Sequence, residues 1–370
     1  MIMVKIKKQD NESNILPTGK LSIDLLKEVF DAYNSSQVMK ILQDSSFKEL
    51  YEDSRKRVKM GFSIGEDAAV IDVGSSDTFL VAKTDPITFA TEDIGYYVVN
   101  VNANDCAAMG ATPKWFQVTI LLPSNITTKE IAKKICLDIQ KACLNLGIYL
   151  IGGHTEVTYG LKRPIVIGSM IGEVKKEHFV HSGGGKPGDA IILTKEIPLE
   201  GTALIAREKE HHLLKMGISP QEIQRSKNLL FTPGISVIKE ALLAVQAFKV
   251  HSMHDPTEGG LAMGLIELSK ASNCGFHVYY ESIPIIPEGR KFCDIFQLNP
   301  LQTLSSGSLL IVVDNNDSDN LLELLWKHDV AARKIGLLTK KKRYLLSYNN
   351  VTKEIEHSER DEIAKIFEDD

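Results

Sequence analysis

Five short segments, far apart in the chain, each set an acidic residue beside small residues at the end of an apolar run. They are Gly65-Glu66-Asp67-Ala68-Ala69-Val70, Thr84-Asp85, Asn104-Asp105-Cys106-Ala107-Ala108-Met109-Gly110, Gly152-Gly153-His154-Thr155-Glu156 and Asp255-Pro256-Thr257-Glu258-Gly259-Gly260. Carboxylates brought together repel unless a cation neutralises them. A fold that gathers these segments is therefore expected to hold a metal, and the small neighbours let phosphate oxygens come close. A single Asp at a strand end is ordinarily a turn or cap residue. It is the joint pattern that points to a magnesium–nucleotide site.

Magnesium takes hard oxygen ligands, usually one or two carboxylates with waters and phosphate oxygens. Asp67, Asp85, Asp105 and Glu156 are the expected ligands, with Glu66 facing solvent or standing behind them. Gly152 and Gly153 follow the apolar Ile148–Ile151. They permit unusual backbone angles and offer amide donors to an anion, and Thr155 adds a hydroxyl. His154 suits packing or hydrogen bonding better than ligation. Asp255 and Glu258 flank a helix start that Thr257 can cap, and Gly259-Gly260 would turn its amides to an anion. A plain capped helix accounts for that stretch equally well. His251 and His254 lie just upstream as candidate acids or bases. Ser182-Gly183-Gly184-Gly185-Lys186 lacks the GxxxxGK[ST] phosphate-loop pattern and reads as a linker.

Periodicity supplies the scaffold. Apolar residues recur at helical spacing over Leu21–Leu50, broken at Asn34-Ser35-Ser36, after a polar start expected to be mobile. Ala68–Val73 and Thr78–Thr84 read as a strand hairpin, Ile94–Met109 as a helix and Trp115–Leu122 as a strand. Thr127 or Thr128 caps a helix over Glu130–Leu146, which Gly147 ends. Ile148–Ile151 and Pro164–Gly172 are further strands. This order gives an α+β domain with a mostly antiparallel sheet. The Gly-rich stretch 175–189 marks a boundary. Beyond it come a strand at Ala190–Thr194, helical stretches at Leu204–Leu214 and Pro233–Val250, a helix at Gly260–Ala271, and strands at Gly275–Tyr280 and Ser308–Val313. A helix at Asp317–His328 and a closing strand pair, Ala332–Leu338 with Arg343–Tyr348, follow. The expected divisions are 1–60 (an extension with helices), 61–174, 186–350 and a charged tail, 351–370, read as a surface helix.

A net charge of −5 and the lack of a basic stripe argue against nucleic acid as a partner. No apolar run approaches the roughly 20 residues of a membrane span. Five scattered cysteines, none in a CxxC pair, fit a reduced cytoplasmic protein without a zinc or disulfide framework.

Taken together, Gly65–Val70, Thr84-Asp85, Asn104–Gly110 with Ala111-Thr112-Pro113, Gly152–Glu156, Lys186–Ala190 and Asp255–Ala262 resemble the superfamily that contains aminoimidazole ribonucleotide synthetase, selenophosphate synthetase, thiamine-monophosphate kinase and the hydrogenase expression/formation protein. Asp93-Ile94-Gly95 and Asp255–Ala262 resemble the hydrogenase-maturation branch. The resemblance implies an N-terminal α+β domain whose sheet forms a barrel with its twin in a homodimer, and a C-terminal α/β domain packed against it. It implies ATP and Mg2+ in the cleft, with Asp67, Asp85, Asn104, Asp105, Gly152, Gly153, His154 and Thr155 binding them. Glu156, His254, Asp255 and Glu258 would serve catalysis. The implied chemistry is ATP-dependent phosphorylation of a small-molecule oxygen, or activation of an amide oxygen, which depends on charge neutralisation and positioning. Many relatives carry Gly-Gly-Asp-Thr where this chain has Gly152-Gly153-His154-Thr155, which implies either that the metal carboxylate has moved to Glu156 or that the site is altered. The hydrogenase-maturation branch ends in a Pro-Arg-Ile-Cys tail whose Cys carries a carboxamide that ATP dehydrates. This chain has no Cys after Cys293 and ends Phe367-Glu368-Asp369-Asp370, so a different acceptor is expected. A maturation role with an altered carrier, or a regulatory nucleotide-binding role without turnover, stand beside that reading.

Overall fold

The computed structural model describes residues 21–357 and 361–367, except 22, 34, 37–39, 42, 44, 62–65, 89 and 91. The expectations for residues 1–20 and for Gly65 lie outside the described residues, as do those for Val38 and Leu42 of the second N-terminal helix. Two exposed helices, α1 (Ile23–Tyr33) and α2 (Lys48–Arg57), precede the first sheet. That sheet uses β1 (Val58–Met60), β2 (Ala69–Ile71), β3 (Thr78–Ile87), β4 (Thr112–Pro123), β5 (Tyr149–Thr158) and β6 (Ile165–Lys175), in the order β1-β2-β3-β6-β4-β5. Every pairing is antiparallel except β4 with β5. Alternate residues of β6 are buried, as the period of two in Val166, Met170 and Val174 requires.

Two helices belong to this half, α3 (Ile94–Ala108) and α4 (Lys129–Asn145). Every residue of α3 except Tyr96 is buried, because it packs on the sheet, on α4 and on the second domain. Glycine makes this packing possible. A Cβ on Gly95 would sit 2.7 Å from the Ile139 backbone of α4, and one on Gly168 would sit 2.4 Å from the Asn102 amide. Thr128 caps α4 through the Ile131 N–H.

The second half opens with β7 (Ala190–Thr194) and the helices α5 (Leu199–Glu208), α6 (Glu210–Lys215), α7 (Pro220–Asn228) and α8 (Ile238–Ala247). By length and composition alone, Pro220–Ala247 could cross a membrane. Here it is two helices parted by the non-helical Thr232 and the following Pro233, with Ile223, Leu230, Ala241 and Ala244 buried. Then come β8 (Val250–His254), α9 (Gly260–Ala271), β9 (Gly275–Tyr279), α10 (Pro287–Phe296), β10 (Leu310–Val313), α11 (Ser318–Lys327), β11 (Ala332–Thr339), β12 (Tyr344–Tyr348) and β13 (Val351–Glu354). Their order in the sheet is β13-β12-β9-β11-β7-β10-β8. The two-domain α+β layout is the one expected from the sequence.

Two local expectations are corrected. The closing pair is no pair: β9 lies between β11 and β12, antiparallel to one and parallel to the other. The charged tail is not a surface helix. Val351–Glu354 is an edge strand, and Glu362–Phe367 is a short 3-10 helix with Ile363, Ala364 and Ile366 buried. Its anchor is Asp361, whose oxygens accept from the Gly259, Leu304 and Ile363 amides at 2.6, 3.3 and 2.7 Å.

Asp361→Ala leaves three buried amides without an acceptor, and is expected to cost about 3 kcal/mol. Burial pushes the Asp361 carboxyl from 3.8 up to about 7, against the pull of those amides. Between those values the native chain keeps a proton that the unfolded chain releases. The contribution is full below the unfolded value and is lost as pH rises through about 7. Urea midpoints across that range check both parts. An unshifted midpoint in the variant would show that the tail is not anchored there.

Candidate metal–nucleotide site

Asp67 enters from the loop before β2, Asp105 from the last turn of α3, and Asp255 from the end of β8. One carboxylate oxygen from each lies within 4.8 Å of the others, and all three residues are buried. Asp67 Oδ2 and both oxygens of Asp255 accept no hydrogen bond among the described residues. Buried unpaired carboxylate oxygens are costly, and a bound cation removes that cost. Burial pushes Asp255 up to about 7, with the Asp67 charge adding and His254 opposing. Burial likewise pushes Asp105 well above the carboxylate range, against the Lys83 ammonium. The donor set is all hard oxygen, which suits magnesium.

Two cations flank the cluster. Lys83 Nζ lies 3.2 Å from Asp105 Oδ2 and 3.3 Å from Asp85 Oδ2. Burial lowers the affinity of Lys83 for its proton, but Asp105, Asp85 and Asp67 outweigh it and hold the ammonium above its ordinary range. His254 Nδ1 lies 2.6 Å from Asp67 Oδ1, and its Nε2 lies 3.0 Å from Glu267. Burial disfavours the charged ring, yet the two carboxylates keep it protonated well above its usual pKa. A ring held as a cation has no lone pair for base catalysis but can still donate a proton, and at 2.6 Å it neutralises the charge of Asp67.

Asp85 is joined to the cluster through Lys83. Its backbone is fixed by Asn102, whose Oδ1 accepts from Asp85 N–H at 2.8 Å and whose Nδ2 donates to Asp85 O at 3.2 Å. Asn104, expected to bind nucleotide, has both ends of its amide engaged elsewhere. Its Nδ2 donates to Ile235 O, and its Oδ1 accepts from Val237 N–H, tying α3 to the second domain. Glu66 is tucked in beside Ser182 and 3.7 Å from His181, and burial raises its carboxyl.

The Gly152–Glu156 expectation is corrected. These residues do not form a loop at a strand end. They run through the middle of β5 along an exposed sheet edge, with Gly153 opposite Val118. The two glycines keep φ at +143° and +151°. A Cβ on Gly153 would fall 1.9 Å from Val118 O. Thr155 and Glu156 are exposed there, and Glu156 pairs with His154 at 3.1 Å. Glu156 is therefore not one of the converging carboxylates, and Asp255 takes that place.

The start of α9 is corrected too. Gly259 and Gly260 adopt positive φ, and a Cβ on Gly260 would strike Thr303 O at 2.7 Å. The acceptor at the Gly259 amide is the chain's own Asp361. Glu258 and Thr257 line a cavity between the domains, alongside Asp85. His251 pairs with Asp189, which also accepts from Lys186 N–H, so the Gly-rich linker is closed by its own turn. Sequence reasoning missed Lys83 and Asn102. Lys83 and Asp85 are two apart on one strand and share a face, a signal the sequence carries.

Residues 65–174 match the family model of the AIR synthase related protein N-terminal domain, and residues 186–349 match that of its C-terminal domain. A Methanocaldococcus jannaschii protein named for hydrogenase expression/formation is 28% identical over 289 residues, covering 76% of this chain and 82% of that one. The carbamoyl dehydratase HypE of Cupriavidus necator is 27% identical over 255 residues, covering 68% and 69%. The crystal structure of the hydrogenase maturation protein HypE in complex with ATP superposes with a TM-score of 0.65 at 18% identity, covering 89% of this chain and 97% of that one. At that identity the superposition establishes the fold.

Proposed function

This chain belongs to the AIR synthase related family, and we propose that it is an ATP- and magnesium-dependent enzyme that phosphorylates, or phosphoryl-activates, an oxygen of a small-molecule or amide acceptor. The observation that carries this reading is the triad Asp67, Asp105 and Asp255, buried together with unpaired oxygens. These three would hold magnesium, which supplies charge neutralisation on phosphate oxygens. Lys83 sets the positions of Asp105 and Asp85, and His254 sets that of Asp67. Glu258, beside the cavity that reaches Asp85, is the remaining candidate to touch an acceptor. The named relatives support ATP as the nucleotide.

We extend the proposal to a homodimer built on β5. That edge strand exposes Tyr149, Ile151 and Val157, and α4 beside it exposes Leu137 and Leu144. An unpaired apolar edge is a template for a second copy. Isothermal titration of an ATP analogue with magnesium, followed by product analysis with ATP, tests the first part. Binding without turnover on any acceptor would favour a regulatory protein, and no binding would end the reading. Sedimentation is expected to give twice the 41.0 kDa chain mass; a monomer would remove the dimer.

A further inference from the structure

A cavity of about 80 Å³ opens between the domains, next to the metal–nucleotide site. Its polar lining comes from Asp85, Thr88, Glu200, Thr257, Glu258 and Ser306, and the rest is apolar. No Lys, Arg or His stands among the described lining residues. Glu200, in the first turn of α5, is only 6% exposed. Ser306 meets its side chain, yet its Oε2 has no hydrogen-bond partner. The charged groups that bear on it most strongly, Asp361, Glu258 and Asp255, are acidic. Burial and those neighbours push its carboxyl up to about 7, with Ser306 pulling the other way. A buried carboxyl in such a place either keeps its proton or takes a counter-charge.

We propose that Glu200 is a specificity-determining residue that receives a cationic nitrogen, an alkylammonium or amidinium group, of the acceptor. The inference rests on the phosphoryl-transfer reading and deepens it. The acceptor would enter with its positive end at Glu200 and its reacting oxygen toward Asp85 and the metal cluster. The volume admits the end of a small molecule and no bulky side group. Magnesium would sit at the aspartate triad, leaving Glu200 for the acceptor.

The test uses methylammonium and acetamidinium chloride as probes on the full chain, with acetamide and sodium chloride as controls. Thermal shift is read with and without an ATP analogue and magnesium. Both cations are expected to raise the melting temperature of the wild type more than either control. Glu200→Gln and Glu200→Ala are expected to weaken that response about tenfold or more in probe concentration, while binding the nucleotide analogue as the wild type does. An equal response to acetamide or sodium chloride overturns the proposal. So does a cation response unchanged in both variants. Loss of the cation response on adding magnesium alone would mark Glu200 as a metal ligand, and also overturns it. If the variants fail to fold, competition of the two cations against acetamide in the wild type decides alone. If the nucleotide does not bind the wild type, the phosphoryl-transfer reading fails separately, because the probes are also read without nucleotide.

Discussion

Asp105→Asn is expected to raise the magnesium concentration that supports half-maximal ATP turnover by about 10–100-fold. The substitution keeps the side-chain volume and removes one of three converging charges, at a residue 4% exposed. Asp255→Asn should act alike, since its oxygens complete the same triad. Glu156→Gln should leave the magnesium dependence of a single chain's site close to that of the wild type, because Glu156 lies on the exposed β5 and pairs with His154. Turnover measured across a magnesium titration at fixed ATP separates these outcomes. A triad variant with an unchanged magnesium requirement would place the metal elsewhere.

Lys83→Met has the largest expected effect on stability. Removing the ammonium leaves Asp85 and Asp105 without their shared partner, and stripping one side of a buried ion pair costs about 3–5 kcal/mol. The Lys83 side chain retains 21% exposure, which sets the expectation at the lower end, about 3 kcal/mol without magnesium. Against the effect of burial, the neighbouring carboxylates hold the Lys83 ammonium above its ordinary 10.5. Its stabilisation is therefore complete at neutral pH and lost only in alkali. Magnesium held at the proposed site would stabilise the native chain, so its addition should restore part of the loss by mass action. Urea midpoints with and without magnesium measure both effects. A deficit that magnesium does not reduce would mean that Lys83 and the metal do not share these carboxylates.

Much of the scaffold was legible in the sequence because the periods of 2 and 3.6 survive in it. The helix expected over Gly260–Ala271 has those same bounds, and the strand over Ala190–Thr194 does too. The convergence of Asp67, Asp105 and Asp255 was legible in part, since acid beside small residues is a pattern of residue types, although the sequence offered Asp255 as a catalytic group and Glu156 as the ligand. The Gly152–Glu156 stretch misled for a physical reason. Paired glycines signal a turn, but glycine also takes positive φ within a strand where a neighbouring carbonyl would strike any Cβ. Asp361 was hidden by distance, since its partner Gly259 is 102 positions away. The insertion of β9 between β11 and β12 was hidden likewise, because strand order is set by packing and not by local pattern. Glu200 lies ahead of the helix expected at Leu204–Leu214, and only the fold places it in a first helical turn.

Helix α3 carries Asn102, Asn104 and Asp105 within four consecutive positions. Asn102 fixes the end of β3, Asn104 grips the second domain, and Asp105 joins the triad. At 1.5 Å of rise per residue, these three anchors span less than one helical turn. The placement of the metal carboxylate relative to both domains is thus set on one rigid element, with no loop between the reference points. Positional error cannot accumulate along that path. Tolerances of a fraction of an ångström, which the proposed phosphoryl chemistry would demand, are within reach of such a mount.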